Sequence, residues 1–423
     1  MDPGIMLFCI AAAIAGSGMG LFSGMTPGIH VNTLAAMMVS AYPAISAGLD
    51  GLIPLDYVPL VISCCIVSAA TVHSFVDFVP SVFIGAPDGE DAVSVLPGHR
   101  LLLKGRGMDA IRAAAIGSLI GASVSIVIAI PLQWMMMHGL DGVLSSMTPF
   151  ILAAVSFVLI ANEWRRGAGL QGILAFTVSG MLGLACMTLP IPTSGILGEG
   201  SIMLPLLTGL FGIPILMSSS GSSIPPQTNR SCDPVGSGPG LRGVIMGTVA
   251  GWFPGMTSTV GASVSAAVFP QKDPAEFIST VASIGTVTSV LSLVVLSVSG
   301  NGRTGTALAI GSIAGSEIHG FMSQWFLVLL LCTAVASVLG YYATIWSGKL
   351  MSIIAPRLRQ GMMNRVMILL LATIVMLLTG PFGILILICS AAVGTIPDAC
   401  GTSRIILCGC LILPVLLFKT GLA

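Results

Sequence analysis

The residues best suited to bind a ligand follow a proline–glycine pair that occurs twice. Proline ends a helix and glycine allows a sharp turn, so a new helix can begin after each pair. The free N–H groups and the positive dipole end of such a helix favour anions, carboxylates included. The alternative is two ordinary proline kinks satisfied by neighbouring helices. The candidate substrate-binding residues here are Pro27, Gly28, His30, Asn32 and Thr33 in the first copy and Pro254, Gly255, Thr257, Ser258 and Thr259 in the second.

Two interrupted apolar pieces supply the second group of candidates. Asp88 follows Pro87 in the first piece, and Asn301, Arg303 and Thr304 interrupt the second. Arg303 could hold a substrate carboxylate by a bidentate contact, with Asn301 and Thr304 beside it. Asp88 could pair with that arginine or bind a proton or sodium ion. The alternative is that both tips reach water and their charges are only solvated.

Asp77 is the second candidate, with Asp88, for ion or proton coupling. It lies four residues after His73 on an apolar helix, so the two side chains form either a proton relay or a local hydrogen-bonded pair.

The elements that must position these residues are membrane helices. Hydrophobic residues make up 55% of the chain, charged residues 8%, and the mean hydropathy is +1.02. So few charges cannot cover a water-soluble surface. The apolar runs are long and do not alternate, which excludes a barrel. The composition therefore predicts an all-α polytopic protein of the cell membrane, with about 10–12 transmembrane helices at roughly 20 residues each.

An internal repeat organises these helices. The pattern GxxxGxxPG occurs at 20–28 and again at 247–255, and each copy precedes an apolar helix and an interrupted hairpin. We predict a first transmembrane repeat at 1–220, a linker loop at 221–241 and a second repeat at 242–423. The loop at 97–112 carries four basic residues, whereas the corresponding 311–321 carries none. The positive-inside rule then places these loops on opposite sides of the membrane, which predicts inverted repeats, each with a broken helix and a re-entrant hairpin.

Other functional classes find little support in the sequence. The net charge is zero, so no basic surface for nucleic acid is predicted. The ten cysteines form no CxxC pair, and the chain has no HExxH or GxSxG motif. We therefore predict no metal site, no catalytic residues and no cofactor beyond a coupling Na⁺ or H⁺.

Three longer stretches resemble a known family. They are GLFSGMTPGIHVNTLA at 20–35, SVFIGAPDGEDAVSVLPGHRLLLKGRG at 81–107 and GVIMGTVAGWFPGMTSTVGASVSAAVFPQ at 243–271. The chain resembles the large permease subunit of the tripartite tricarboxylate transporters, the TctA-like family, and in particular its archaeal branch with a PGIHxNT motif. The resemblance implies transport of carboxylates such as citrate on an ion gradient, assisted by a small membrane subunit and an extracytoplasmic binding protein.

The leading hypothesis is thus a secondary transporter for a small organic anion, with the lipid bilayer as its environment and a homo-oligomer as an open alternative to a monomer. The runner-up is a flippase for a polyprenyl phosphate, because helix N-termini suit phosphate equally well. An intramembrane enzyme is a weaker third hypothesis.

Overall fold

The structure is a computed structural model, and it describes the chain from residue 2 to 422 apart from several gaps. The gaps are 27–30, 86–94, 197, 200, 219–223, 230–233, 253–257, 259–260, 263, 266–272, 301, 303 and 358–359.

The described residues are almost entirely helical, which confirms the predicted all-α polytopic architecture. The first part of the chain forms α1 (Pro3–Met25), α2 (Val31–Ser40), α3 (Tyr42–Leu49), α4 (Val58–Val76), α5 (Phe78–Ile84), α6 (Val95–Leu103), α7 (Gly107–Met135), α8 (Asp141–Arg165), α9 (Gly169–Thr188), α10 (Met203–Leu207) and α11 (Ile213–Ser218). The remainder forms α12 (Ser237–Trp252), α13 (Pro274–Ser299), α14 (Gly305–Ala314), α15 (Gln324–Ile354), α16 (Gln360–Gly394), α17 (Ile396–Cys400) and α18 (Gly409–Thr420). A two-residue antiparallel ribbon joins Ser194–Gly195 to Gly198–Glu199.

Seven helical segments in the described part of the chain are long and apolar enough to cross a membrane. One of them, Gly107–Arg165, contains 59 residues, which corresponds to roughly 90 Å of helix and far exceeds one crossing. It bends where His138 and Gly139 leave helical geometry, so α7 and α8 are separate crossings. Helix α16 is interrupted in the same way at Gly380, which has φ 71° and precedes Pro381.

Glycines at four-residue spacing join α1 to α4. A Cβ atom at Gly16 would lie 2.1 Å from the carbonyl oxygen of Cys65, and one at Gly20 would lie 2.4 Å from that of Ala69. Because any side chain there would collide with backbone, these glycines allow the close contact that membrane helices use for packing. Residue numbers rise together along the contact, so the two helices run in the same direction.

Helices α12 and α13 repeat this arrangement. Gly243 and Gly247 of α12 abut Thr280–Ser283 and Ile284–Val287 of α13, again with rising numbers on both sides. The first two glycines of each GxxxGxxPG copy therefore serve the same purpose: Gly20 and Gly24 dock α1 on α4, and Gly247 and Gly251 dock α12 on α13.

The two glycine-docked pairs run in opposite directions. Gly117 of α7 abuts Ser279 and Gln133 donates to Ser297, so α7 is parallel to α13. Helix α15 is parallel to α4 instead, since Cys332 contacts Cys64 and Gly340 contacts Phe75.

Helix α15 is also antiparallel to α7. Its Gly348 abuts Ile111 at the start of α7, while Gln133 at the end of α7 accepts from the Met322 amide just before α15 begins. Helices α1, α4 and α15 thus point one way, and α7, α12 and α13 point the other way.

The loops predicted on opposite sides of the membrane lie at opposite ends of this bundle. Arg106 and Asp109 form an ion pair at the start of α7. Gly320 lies at the other end of that helix, where its carbonyl accepts from Gln133. The end that carries Arg106 also carries Arg242 and Lys349, and from the positive-inside rule we predict that this end faces the cytoplasm.

Part of the predicted linker lies among the described residues and packs on the first half. The Gln227 side chain accepts from the Gly107 amide at 2.8 Å and donates to the Leu102 carbonyl at 3.1 Å, so the described residues 224–229 dock on the start of α7. Helix α12 begins at Ser237, five residues before the predicted start of the second repeat at 242, because Pro239 and Gly240 can occupy its first turn. The repeat boundaries at 220 and 242 stay predictions.

Candidate functional site

The second interrupted hairpin turns back into the protein interior. Helix α13 ends at Ser299, and Gly300 takes the left-handed φ of 71° that its turn requires. The chain then returns, and the Thr304 amide donates to the Ser292 hydroxyl at 3.1 Å. Ser292 lies seven residues before Ser299, or roughly 10 Å along the helix. The N-terminus of α14 therefore lies well inside the bundle, as the predicted re-entrant hairpin requires.

Two oxygen atoms from different parts of the chain cap this helix. The Thr304 Oγ1 accepts from the Ala307 amide at 3.2 Å, which is an ordinary N-cap. The Asn32 Oδ1 accepts from the Thr306 amide at 3.0 Å. Asn32 belongs to α2, directly after the first proline–glycine break, so one half of the sequence caps a helix of the other half.

The contact between α2 and α14 leaves no spare volume. A Cβ atom at Gly305 would lie 2.7 Å from Asn32 Cγ and 2.9 Å from its Oδ1. Glycine at 305 is thus required for Asn32 to reach the helix end. The structure brings together two of the sequence-predicted substrate-binding residues, Asn32 and Thr304, although 272 positions separate Asn32 from Thr304 in the numbering.

A small cavity lies beside this junction, and about half of the residues that line it carry hydroxyl side chains. Its volume is about 20 Å³, which is room for about one water-sized body. The described residues that line it include seven hydroxyl side chains, which come from α4, α13, the hairpin and α15: Thr71, Ser74, Thr286, Ser289, Thr304, Thr306 and Thr333. Apolar side chains such as Val67 and Leu293 close the rest of the wall.

The remaining predicted residues fall into two groups. Asp77 and Ser258 are both buried, and His73, one turn before Asp77, is hydrogen-bonded through its Nδ1 to the Ser23 hydroxyl on α1 at 2.9 Å. Thr33 lies in the first turn of α2. Ten others lie outside the described residues: Pro27, Gly28, His30, Asp88, Pro254, Gly255, Thr257, Thr259, Asn301 and Arg303.

Sequence reasoning missed most of the cavity. Thr71, Ser74, Thr286, Ser289 and Thr333 sit inside apolar helices, where serine and threonine are common and bond their own backbone. These residues can be recognised only from the approach of α4 and α13 to the hairpin, and no local sequence pattern predicts that approach. Within the described ranges, no three His, Cys, Asp or Glu side chains are grouped so that they could hold a metal ion.

Comparison with known proteins identifies the family of this fold. The sequence profile described as the Tripartite tricarboxylate transporter TctA family matches residues 10–409. The chain belongs to this family. A relative, an uncharacterized protein of Methanocaldococcus jannaschii, is 30% identical over 312 residues, which cover 72% of each chain. No solved structure matches the chain.

The TctA assignment confirms the resemblance found in the sequence and the predicted location. The protein is a multi-pass membrane protein of the cell membrane and a permease of a transporter family. The match to an archaeal relative agrees with the archaeal branch that the PGIHVNT segment resembles.

Proposed function

We propose that this TctA-family permease is an ion-coupled secondary transporter that moves a small organic carboxylate. The observation that carries the proposal is the N-terminus of α14, which lies inside the bundle and is capped by Asn32 from the opposite half of the sequence. A helix end of this kind supplies N–H donors and a partial positive charge at membrane depth, where anions otherwise have few partners.

The position of Asn32 Oδ1 indicates how a carboxylate would bind. A carbonyl oxygen accepts from the Thr306 amide at 3.0 Å, and a carboxylate oxygen could make the same bond with greater strength because it is charged. The substrate would then replace Asn32 at the helix end. Arg303, next to this end in the sequence, would add a full charge and planar donors.

The helix directions support alternating access. Helices α1 and α4 run in the opposite direction to α12 and α13. Each pair is docked through glycines of the same sequence pattern. Two oppositely oriented halves that meet at a central site are the arrangement in which one half can rock against the other. The Asn32–Thr306 contact lies at such a meeting point.

The name of the family also supports two partners. Tripartite systems have three components, so we propose that a small membrane subunit and an extracytoplasmic binding protein assist this permease. The proposal includes Na⁺ or H⁺ as the coupling ion, with Asp77 and Asp88 as candidate groups.

Substrate binding to the purified permease tests the proposal without requiring the partners. Thermal unfolding in detergent micelles is measured with citrate, smaller di- and monocarboxylates and, as the competing class, a short-chain polyprenyl phosphate. We expect saturable stabilisation by at least one carboxylate, because a ligand that binds only the folded state raises the unfolding temperature.

Uptake of the same carboxylate into liposomes then tests transport. The permease is reconstituted with and without its partner proteins, and Na⁺ and pH gradients are imposed separately. Stabilisation by the polyprenyl phosphate together with no response to any carboxylate would contradict the proposal and favour a lipid-phosphate flippase.

A further inference from the structure

Most residues with hydroxyl groups around the cavity beside α14 have committed the hydroxyl proton to a helix backbone. Thr71 Oγ1 donates to the Val67 carbonyl at 2.8 Å, and Ser74 Oγ donates to the Thr71 carbonyl at 2.9 Å. A hydroxyl has one proton and two acceptor lone pairs. Because the proton is committed to the helix backbone, these side chains can offer only acceptors to the cavity.

The opposite wall repeats this chemistry. Thr286 Oγ1 and Ser289 Oγ on α13 donate to the Ala282 and Gly285 carbonyls at 3.0 and 3.2 Å. Thr333 Oγ1 on α15 donates to the Leu329 carbonyl at 2.8 Å. Five hydroxyl oxygens on three helices therefore belong to residues around one small space, and with their protons committed they have only lone pairs to offer, which suit a cation.

The N-terminus of α14 does not reverse the preference of the cavity for a cation. Two of the first-turn amides, those of Thr306 and Ala307, already donate, to Asn32 Oδ1 and Thr304 Oγ1. Thr304 Oγ1 also lies 3.0 Å from Thr306 Oγ1 and 3.2 Å from Ser292 Oγ, so the hairpin side of the cavity is rich in oxygen as well.

The volume of the cavity and the absence of charge from its described lining limit which cation could bind. A volume of about 20 Å³ admits one water-sized body and is far too small for an organic ligand. Hard oxygen ligands favour hard cations. Divalent ions are normally held by carboxylates, and the described lining contains none. A small monovalent cation fits the volume, prefers hard oxygen ligands and does not require a carboxylate.

We propose that this cavity is a Na⁺ site, formed by hydroxyls of α4, α13 and α15 together with the hairpin at Thr304 and Thr306. The proposal rests on the ion-coupled transport proposed above and assigns a place for its ion. Cation binding there would draw the hairpin toward α4 and α13, and it would thereby fix the N-terminus of α14 that is proposed to receive the carboxylate.

Thermal unfolding of the full-length protein in detergent tests the site, with NaCl replacing choline chloride or KCl at constant total salt. We expect NaCl alone to raise the unfolding temperature in a saturable way. Thr286→Val and Ser289→Ala each remove one acceptor oxygen, and each should raise the half-saturating Na⁺ concentration about tenfold, as loss of one such contact predicts.

Thr373→Val is the matched control. Thr373 also donates to the carbonyl four residues back, Leu369, at 2.8 Å, but it lies on an exposed face of α16. Its half-saturating Na⁺ concentration should equal that of the unaltered protein. If Thr286→Val does not fold, Ser289→Ala, which removes a single atom, decides the question.

Two results would overturn the Na⁺ site. One is equal stability in NaCl and choline chloride, and the other is a Na⁺ response that both cavity variants leave unchanged. These results are separable from failure of the transport proposal. Carboxylate uptake driven by a pH gradient without Na⁺ would contradict the Na⁺ site and leave the transport proposal intact. Stabilisation by Na⁺ without any response to a carboxylate would contradict the transport proposal and leave the Na⁺ site intact.

Discussion

Replacing Asn32 with alanine should weaken the attachment between the two halves of the protein. The substitution removes the oxygen that accepts from the Thr306 amide at 3.0 Å, and Thr306 is buried, with only 8% of its surface exposed. A buried donor left without its acceptor costs about 1–3 kcal/mol, and loss of a helix N-cap costs about 0.5–2 kcal/mol. We therefore expect Asn32→Ala to lower the unfolding free energy by about 1–3 kcal/mol.

The unfolding temperature should fall by only a few degrees. At about 2.1 cal/mol/K per residue, a chain of 423 residues has an unfolding entropy near 0.9 kcal/mol/K. The expected decrease is thus about 1–3 °C in a thermal unfolding assay at fixed detergent concentration. Ser40→Ala is the control, because Ser40 is exposed at the end of the same helix and bonds only the local Ala36 carbonyl. Its effect should stay within about 0.5 kcal/mol.

A double-mutant cycle isolates the contact itself. Gly305→Ala would place a Cβ atom 2.7 Å from Asn32 Cγ and 2.9 Å from its Oδ1, and this collision should push the Asn32 side chain off the helix end. Both single substitutions then break the hydrogen bond between Asn32 and Thr306, and Asn32→Ala removes two of the three Asn32 atoms that would collide. The double variant should consequently be about 1–3 kcal/mol more stable than the sum of the single effects predicts. Strict additivity would refute the argument that Asn32 caps α14.

Three further predictions concern packing, topology and charge. Gly16→Ala should strongly destabilise the α1–α4 contact, since its Cβ would lie 2.1 Å from a backbone oxygen, whereas Gly18→Ala on the same helix meets nothing within 4 Å and should be neutral or slightly stabilising in the unfolding assay. Single cysteines at Arg106 and His319, in a background without other cysteines, should react with an impermeant thiol reagent from opposite sides of the membrane, and labelling of both from one side would contradict the topology. Arg303→Gln should weaken carboxylate binding by about 1–3 kcal/mol while folding is kept, and unchanged affinity would show that this arginine is only a solvated charge.

Three kinds of pattern in the sequence alone predicted the architecture. Long apolar runs with 8% charged residues require membrane helices, since lipid offers the backbone no hydrogen-bond partners. The GxxxGxxPG repeat located the two glycine-docked helices, because close helix contact needs small residues wherever it occurs. The basic loop around Arg106 and the corresponding loop around His319 also separated to opposite ends of the bundle, as their composition predicted.

The candidate site depended on tertiary structure to a much greater extent. Asn32 was a candidate from its position after a helix break, but nothing local indicated that it caps a helix beginning at Gly305. Cavity residues such as Thr71 and Thr286 cannot be recognised in the sequence, because these two threonines each bond the carbonyl four residues before them, as any threonine in a membrane helix can. Their common function depends on which helix faces converge, and long-range packing alone decides that.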